Sequence, residues 1–223
     1  MPGYHLDLQK LPLFRGLSSE ETETFIVGTE ASVRRYEKGR HILRADEKNE
    51  SIGVLIEGEA QVLTEDPFGN EAVSHVLERG AVIGSTSAIL PQRMMNTSVM
   101  ATQNTIVLWI PYRMLLLAGS RMGKIHGIVM KNLLETFARK NILMAEKIEL
   151  LARKTLRERL VLYLQQRARR QGSEKVQVPG RVQMAKELEC NRSALTREIA
   201  AMKTEGIITC GEEWMQLTTE KLS

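Results

Sequence analysis

The sequence predicts an α+β fold: a strand-rich part, then a long helix, then a small helical part that ends in a hairpin. Three changes of pattern support this. Glycines and short β-prone runs recur from residue 31 to 111, and apolar residues then stand at helical spacing from 121 to 151. The remainder contains helix-like stretches followed by two short strands. Because each stretch has its own periodicity, each predicts a separate structural part.

The first segment, residues 6–30, is predicted to be helical. Ser18-Ser19-Glu20-Glu21 is typical of a helix start, since serine can cap the first turn and acidic residues favour its positive end. The apolar residues that precede this start are Leu8, Leu11, Leu13, Phe14 and Leu17.

The strand-rich part is punctuated by glycine. Its glycines stand at Gly39, Gly53, Gly58, Gly69, Gly80 and Gly84. Short β-prone runs lie between or after them, at 53–56, 60–63, 72–77 and 105–110. Many short strands separated by turns predict an all-β sandwich or barrel.

The central segment, 121–151, is predicted to be one long helix of about 45 Å. Its apolar residues at helical spacing are Val129, Leu133, Phe137, Met144 and Ile148, and Ile125, Ile128, Leu134, Ile142 and Leu143 widen the stripe. One barrel cannot cover so much apolar surface. We therefore expect one face to pack on the barrel and the other on a second copy, as a homodimer. Burial within one subunit is the alternative.

The last segment is predicted to hold a helix over 155–170, a short strand over 176–179 and two helices over 182–188 and 192–205. A hairpin of 207–209 and 214–217, turned at Gly211, follows. Helices followed by a small hairpin predict a winged helix-turn-helix. The predicted domains are therefore 1–120, 121–151 and 152–223.

Charge is concentrated in this last domain. The whole chain has a net charge of +4, and residues 152–223 hold 14 Lys and Arg against 9 Asp and Glu. The preceding 151 residues hold 17 against 18. A basic domain is typical of a phosphate-binding module, although a solvated basic surface would look the same.

The helix over 192–205 carries the predicted DNA-reading residues. Asn191 is a good cap for its first turn, and this end of such a helix meets base edges in the major groove. The residues expected to read bases are Arg192, Ser193, Thr196 and Arg197. Those expected to position the protein on phosphates are Arg181, Lys186, Asn191 and Lys203. The alternative is a pair of ordinary surface helices with exposed arginines.

Several other functions are not expected. No run of about 18 apolar residues and no basic segment followed by an apolar stretch is present, so we expect a cytoplasmic protein without a membrane partner. Cys190 and Cys210 are too few for a disulfide framework or an iron–sulfur cluster, and no spacing suggests a metal site. No nucleophile–base set and no phosphate-binding glycine loop indicates an enzyme.

From about residue 11 to 217 the chain resembles the Crp/Fnr family of bacterial transcription regulators. The motifs that carry the resemblance are Tyr36-Glu37-Lys38-Gly39, Ile56-Glu57-Gly58-Glu59, Arg79-Gly80-Ala81-Val82-Ile83-Gly84, Val107-Leu108-Trp109-Ile110-Pro111 and Cys190-Asn191-Arg192-Ser193. It implies a double-stranded, jelly-roll-like β-roll that senses an effector, a dimerisation helix and a winged helix-turn-helix. It also implies a dimer that binds a near-palindromic operator, with RNA polymerase as a further partner of an activator.

Two positions near the second helix depart from the family pattern. Glu189 stands in the turn, where the family often has Gly. If that position requires a positive φ, Glu189 is mildly strained. Ser193 stands where the family often has Glu, so base preference should differ from that of well-known members.

The resemblance also implies a changed effector pocket. cAMP-binding relatives have a Glu where this chain has Ser85 after Gly84, and an Arg with a hydroxyl residue where it has Met95-Asn96. Met144 stands where the central helix would offer a hydroxyl to adenine. Without a cation, a buried phosphate loses about 1.5–3 kcal/mol, so we expect an effector other than cAMP.

Other effectors stay open. Arg93 would replace the missing cation if its loop shifts, which keeps a cyclic-nucleotide sensor with the same DNA-binding output as an alternative. Met94, Met95, Met100 and Met144 would suit a less polar ligand, or are simply core. Haem is a third option, with candidate ligands at His5, His41, His75 and His126. Cys190 has either a redox role or a packing role.

Overall fold

The computed structural model describes residues 8–45, 47–65, 71–90 and 96–218. The chain divides into two compact units, Met1–Phe137 and Ala138–Ser223. This differs from the predicted boundaries at 120/121 and 151/152, because the long helix does not stand apart. Its first half shares a core with the strands of the first unit, so the division falls inside the helix.

The first unit contains two four-stranded antiparallel sheets, with strand orders β1-β8-β3-β6 and β2-β7-β4-β5. The strands are β1 Ser32–Tyr36, β2 His41–Leu43, β3 Ser51–Glu57, β4 Ala60–Glu65, β5 Glu71–Leu77, β6 Val82–Ile83, β7 Thr97–Ala101 and β8 Thr105–Pro111. The prediction of many short strands in this part is confirmed, although a short helix, Ser85–Ile89, interrupts them.

Strand β3 is covered on both faces. Ile52, Val54 and Ile56 belong to a core that also contains helical residues, and Leu55 belongs to a second core built from both sheets. Successive side chains of a strand point to opposite faces, so one face of β3 meets the helices and the other meets the opposite sheet. This explains its unbroken apolar run.

The helices of the first unit are α1 Ser19–Gly28, α2 Ser85–Ile89, α3 Tyr112–Leu117, α4 Gly119–Met122 and the first part of α5 Lys124–Leu151. The predicted helix over 6–30 is in fact α1 preceded by two short 3-10 turns, Leu8–Lys10 and Pro12–Phe14. Ser18 begins α1 with a capping box that it forms with Glu21. The sequence analysis did not predict α2, α3 or α4.

The long helix α5 is confirmed, but two of its predicted dimer residues are not available to a partner. Val129 and Leu133 are buried in the first unit's core, and Phe137 packs against that core. Met144 and Ile148 are exposed, by 55% and 67%. The predicted stripe therefore splits into a part that is buried in its own unit and a part that faces solvent.

The second unit continues α5 into α6 Leu156–Gln171, β9 Val176–Gln177, α7 Arg181–Glu187, α8 Arg192–Thr204, β10 Ile208–Cys210 and β11 Trp214–Leu217. The three strands form an antiparallel sheet of order β10-β11-β9. Its core combines Leu160 and Leu164 of α6 with Leu195 and Met202 of α8 and Met215 of β11. The winged helix-turn-helix topology is thereby formed.

None of the described helices is long and apolar enough to cross a membrane.

Candidate nucleic-acid interface

The turn between α7 and α8 is fixed by local sequence. Asn191 caps α8: its Oδ1 accepts from the Ser193 amide at 2.8 Å and from the Ser193 hydroxyl at 2.7 Å. Glu189 has φ +49°, in the left-handed region. The positive φ considered for this position is confirmed, and this conformation is unfavourable for a non-glycine residue.

Helix α8 has one buried and one exposed side. Leu195, Ile199 and Met202 are buried in the second unit's core. The four predicted base-reading residues, Arg192, Ser193, Thr196 and Arg197, are all exposed. The spacing of the buried residues explains this, because positions three and four apart share one helix face.

The two hydroxyl groups on the exposed side already donate their protons within the helix. Ser193 Oγ donates to Asn191 Oδ1, and Thr196 Oγ1 donates to the Arg192 carbonyl at 2.9 Å. In these rotamers each hydroxyl oxygen can still accept a hydrogen bond. They are therefore suited to the amino groups of adenine or cytosine, which are donors in the major groove.

Carboxylates at α7 and α8 form ion pairs with arginines of α6. Arg157 of α6 donates to Glu198 at 2.7 Å and to Glu205 at 2.6 and 2.8 Å. Arg167 of α6 donates to Glu187 at 2.9 Å. These bonds raise the pKa of Arg157 above its ordinary value. Burial alone would raise the pKa of Glu187, but bonds from Tyr163, Arg167 and Gln183 lower it overall.

The cations on the exposed side have no such partners. Among the described residues, no side chain forms a hydrogen bond or ion pair with the guanidinium of Arg192 or Arg197. Acidic residues are held at the back of α8 and unpaired arginines remain at its front. This separation gives α8 a positive outer surface that attracts polyanions.

The predicted phosphate-positioning residues lie on α7, on α8 and in the turn between them. Lys186 lies in the last turn of α7 and Lys203 in the last turn of α8, and both are exposed. Arg181 begins α7, is half-buried and places Nη1 at 3.9 Å from the sulfur of Met184. Asn191 is exposed and is engaged as the cap of α8.

Sequence reasoning missed three cations of this unit. Arg157 bridges α6 to two carboxylates of α8, while Lys147 of α5 and Arg159 of α6 contact the turn before α8. Their partners lie 29 to 48 residues away in the sequence. No periodicity links positions so far apart, so only the packing of α5 and α6 reveals these contacts.

The predicted effector residues of the first unit lie at the start of α2 and beside β7. Gly84 has φ +68° and precedes α2, and its carbonyl accepts from Asn49 Nδ2 at 2.9 Å. Ser85 is half-buried in the first turn of α2 and supplies no carboxylate. Asn96 is exposed, and its carbonyl accepts from the Glu65 amide at 3.1 Å.

The remaining predicted effector positions fall in the second unit, in β7 or outside the described residues. Met144 is an exposed residue of the second unit. Met95, with Arg93, Met94 and His5, lies outside the described residues. Met100 is half-buried in β7.

Three of the candidate haem ligands, together with Cys190, lie within the described residues. His126 Nε2 lies 3.0 Å from the Leu115 carbonyl, and His41 is half-buried in β2. His75 is exposed next to Ser74. Burial raises the pKa of Cys190, which makes its thiol less reactive. No group of three or more His, Cys, Asp or Glu that could hold a metal occurs in the described part of the chain.

The sequence profile of the cyclic nucleotide-binding domain matches residues 33–117, from β1 to the end of α3. This part of the chain is therefore similar to the cyclic nucleotide-binding domain. The match spans the two β-sheets of the first unit and stops before α5. No match was found among curated protein sequences.

Two solved structures extend the likeness to both units. The Thermus thermophilus catabolite activator protein is 22% identical, with a TM-score of 0.54 and coverage of 93% of each chain. CprK complexed with OCPA is 17% identical, with a TM-score of 0.61 and coverage of 87% of this chain and 89% of that one. The resemblance to Crp/Fnr regulators is thus confirmed at the level of fold.

Proposed function

We propose that this protein is a dimeric, sequence-specific DNA-binding transcription regulator of the Crp/Fnr type. The observation that carries the proposal is the exposed face of α8, where Arg192 and Arg197 lack side-chain partners among the described residues. An arginine fork matches O6 and N7 of guanine, so each arginine is suited to read one guanine. The protein then works in the cytoplasm on an operator, and RNA polymerase is its further partner if it activates.

The dimer proposal rests on the solvent-facing part of α5. Ile142, Leu143, Met144 and Ile148 are each at least half exposed. In the sequence, Leu134, Asn141 and Ile148 are seven residues apart, and so are Met144 and Leu151. Two interleaved seven-residue spacings form the seam of a coiled coil, and an asparagine within such a seam favours two strands in register. The partner is therefore a second copy of α5.

The effector proposal is a ligand other than cAMP. Ser85 at the start of α2 offers a hydroxyl where cAMP-binding relatives have a carboxylate. A less polar ligand in the first unit is the class we favour. Isothermal calorimetry with cAMP tests this: no heat of binding is expected at micromolar cAMP, and a micromolar Kd would contradict it.

The DNA proposal is tested by selecting duplexes from a random pool with the full-length protein. We expect enrichment of a near-palindrome with half-sites about 34 Å apart, since each subunit places one α8 in the major groove. Arg192→Ala and Arg197→Ala should each weaken binding to the selected duplex by about 1–3 kcal/mol and relax specificity at one base.

Arg113→Ala is the matched control, because Arg113 is an exposed arginine of α3 in the other unit. It should bind like the wild type. If the wild type enriches no sequence, or if both α8 variants bind as tightly as Arg113→Ala, the proposal is wrong.

A further inference from the structure

The turn that leads into α8 is held in a conformation that its own sequence disfavours. Glu189 adopts φ +49°, a backbone conformation that is unfavourable for a residue other than glycine. The next residues, Cys190 and Asn191, lead directly into the cap of α8. The direction in which α8 leaves α7 therefore depends on whether Glu189 stays in the left-handed region. Contacts from elsewhere must maintain it.

Lys147 of α5 supplies two such contacts. Its Nζ donates to the Glu187 carbonyl at 2.6 Å and pairs with the Glu189 carboxylate at 3.1 Å. The first partner belongs to the last residue of α7 and the second is the strained residue itself. One ammonium group therefore joins the end of α7 to the turn. The short bond to the Glu187 carbonyl is charge-assisted and of the stronger kind, whereas the pair with Glu189 joins two partly exposed side chains.

Arg159 of α6 holds the same turn from its own helix. Its Nη1 donates to the Leu188 carbonyl at 2.8 Å and lies 3.4 Å from the Glu189 carbonyl. Three consecutive residues, from Glu187 to Glu189, thus give their carbonyl oxygens to cations of α5 and α6. Of these two cations, Lys147 also forms an ion pair with the side chain of Glu189.

We propose that Lys147 is a positioning residue for DNA recognition. It keeps Glu189 in the left-handed conformation and thereby sets the direction of α8, without contacting DNA itself. The proposal rests on the DNA-binding function proposed above. The C-terminal part of α5 thereby helps to orient the base-reading residues of the same subunit.

A double-mutant cycle with glycine tests this role. Lys147→Ala should weaken binding of full-length protein to the selected duplex about five- to tenfold, because an unanchored turn populates other conformations. Glu189→Gly should bind like the wild type, because glycine adopts a positive φ without an anchor. The double variant should recover most of the loss. Recovery by glycine is the result that a phosphate contact at Lys147 would not give.

Lys140→Ala is the control, since Lys140 is an exposed lysine of α5 whose side chain makes no hydrogen bond or ion pair with the turn among the described residues. Lys147→Arg should retain most of the affinity, because arginine also offers donors to both partners. The salt dependence of binding should be the same for Lys147→Ala and wild type. A slope lowered by the substitution would mean that Lys147 contacts phosphate, and would overturn the proposal.

A measurement without DNA separates this proposal from the function on which it rests. Amide hydrogen exchange should rise at residues 188–192 in Lys147→Ala, with thermal unfolding and exchange of β9–β11 unchanged. If the wild type binds no duplex, the proposed function fails. If the wild type binds and Lys147→Ala behaves like Lys140→Ala in both affinity and exchange, the positioning role fails.

Discussion

At the scale of single residues, the turn between α7 and α8 contains a backbone conformation that is unfavourable for its residue, Glu189. The only described non-glycine residues with positive φ are Glu30 and Glu189. Glu30 follows α1, whereas Glu189 joins the two helices of the candidate interface. Strain of this kind persists only when the surrounding structure holds the residue in place. Lys147 and Arg159 contact the turn, and Arg167 contacts the side chain of Glu187 at the end of α7.

The strain at Glu189 has a measurable consequence for stability. Glu189→Gly should be about 1 kcal/mol more stable than Glu189→Ala. Both variants lose the carboxylate that pairs with Lys147, but only glycine escapes the left-handed penalty. Urea unfolding of the two variants measures the difference. Equal stabilities would show that Glu189 is not strained in solution.

A second prediction at this scale concerns the carboxylate of Glu187. Its pKa is lowered in the folded protein, so it stabilises the fold above its unfolded pKa, near 4.5, and loses that contribution as pH falls further. The free energy of unfolding of Glu187→Gln should be lower than that of the wild type at pH 7, with the gap narrowing towards pH 3. Glu213→Gln, at an exposed position in the wing, is the control. A difference in the free energy of unfolding that does not change with pH would contradict the lowered pKa of Glu187.

At the scale of elements, local patterns predicted most of the fold. The capping boxes at Ser18 and Thr155 mark the starts of α1 and α6 in the sequence, and the strands over 53–56 and 105–110 lie within β3 and β8. Short helices such as α2 were not predicted, because five residues are too few to show a helical periodicity. The division of α5 into a buried and an exposed part was not predicted either, because the spacing of apolar residues does not show which of them pack against the strands of the first unit.

That split leads to a prediction for α5. Ile148→Asp should convert a dimer to a monomer at micromolar concentration, because a charge within an apolar seam is desolvated without a partner. Val27→Asp is the control, since Val27 is 72% exposed on α1, outside the proposed seam. Sedimentation velocity measures both. Persistence of the dimer in Ile148→Asp, or a monomeric wild type, would refute the proposed interface.

At the scale of the whole molecule, the uneven distribution of charge and the proposed dimer together predict how strongly DNA binding depends on salt. The second unit carries the excess of basic residues, and its carboxylates on α7 and α8 are paired at the back. Most of the DNA affinity should then come from displaced counterions, as expected for a protein that neutralises many phosphates. A dimer uses every such contact twice, once on each half-site.

This doubling gives the last prediction. Each phosphate contact contributes about 0.9 to the slope of log K against log salt, so Lys203→Ala should lower the magnitude of that slope by about 1.8 for a dimer. A monomer would lose about half as much. Lys38→Ala, at an exposed position of the first unit, should leave the slope unchanged. Binding of each variant to the selected duplex between about 50 and 200 mM salt measures the change. An unchanged slope in Lys203→Ala would remove Lys203 from the set of phosphate contacts, whereas a loss of about 0.9 would argue against two equivalent α8 helices on one operator.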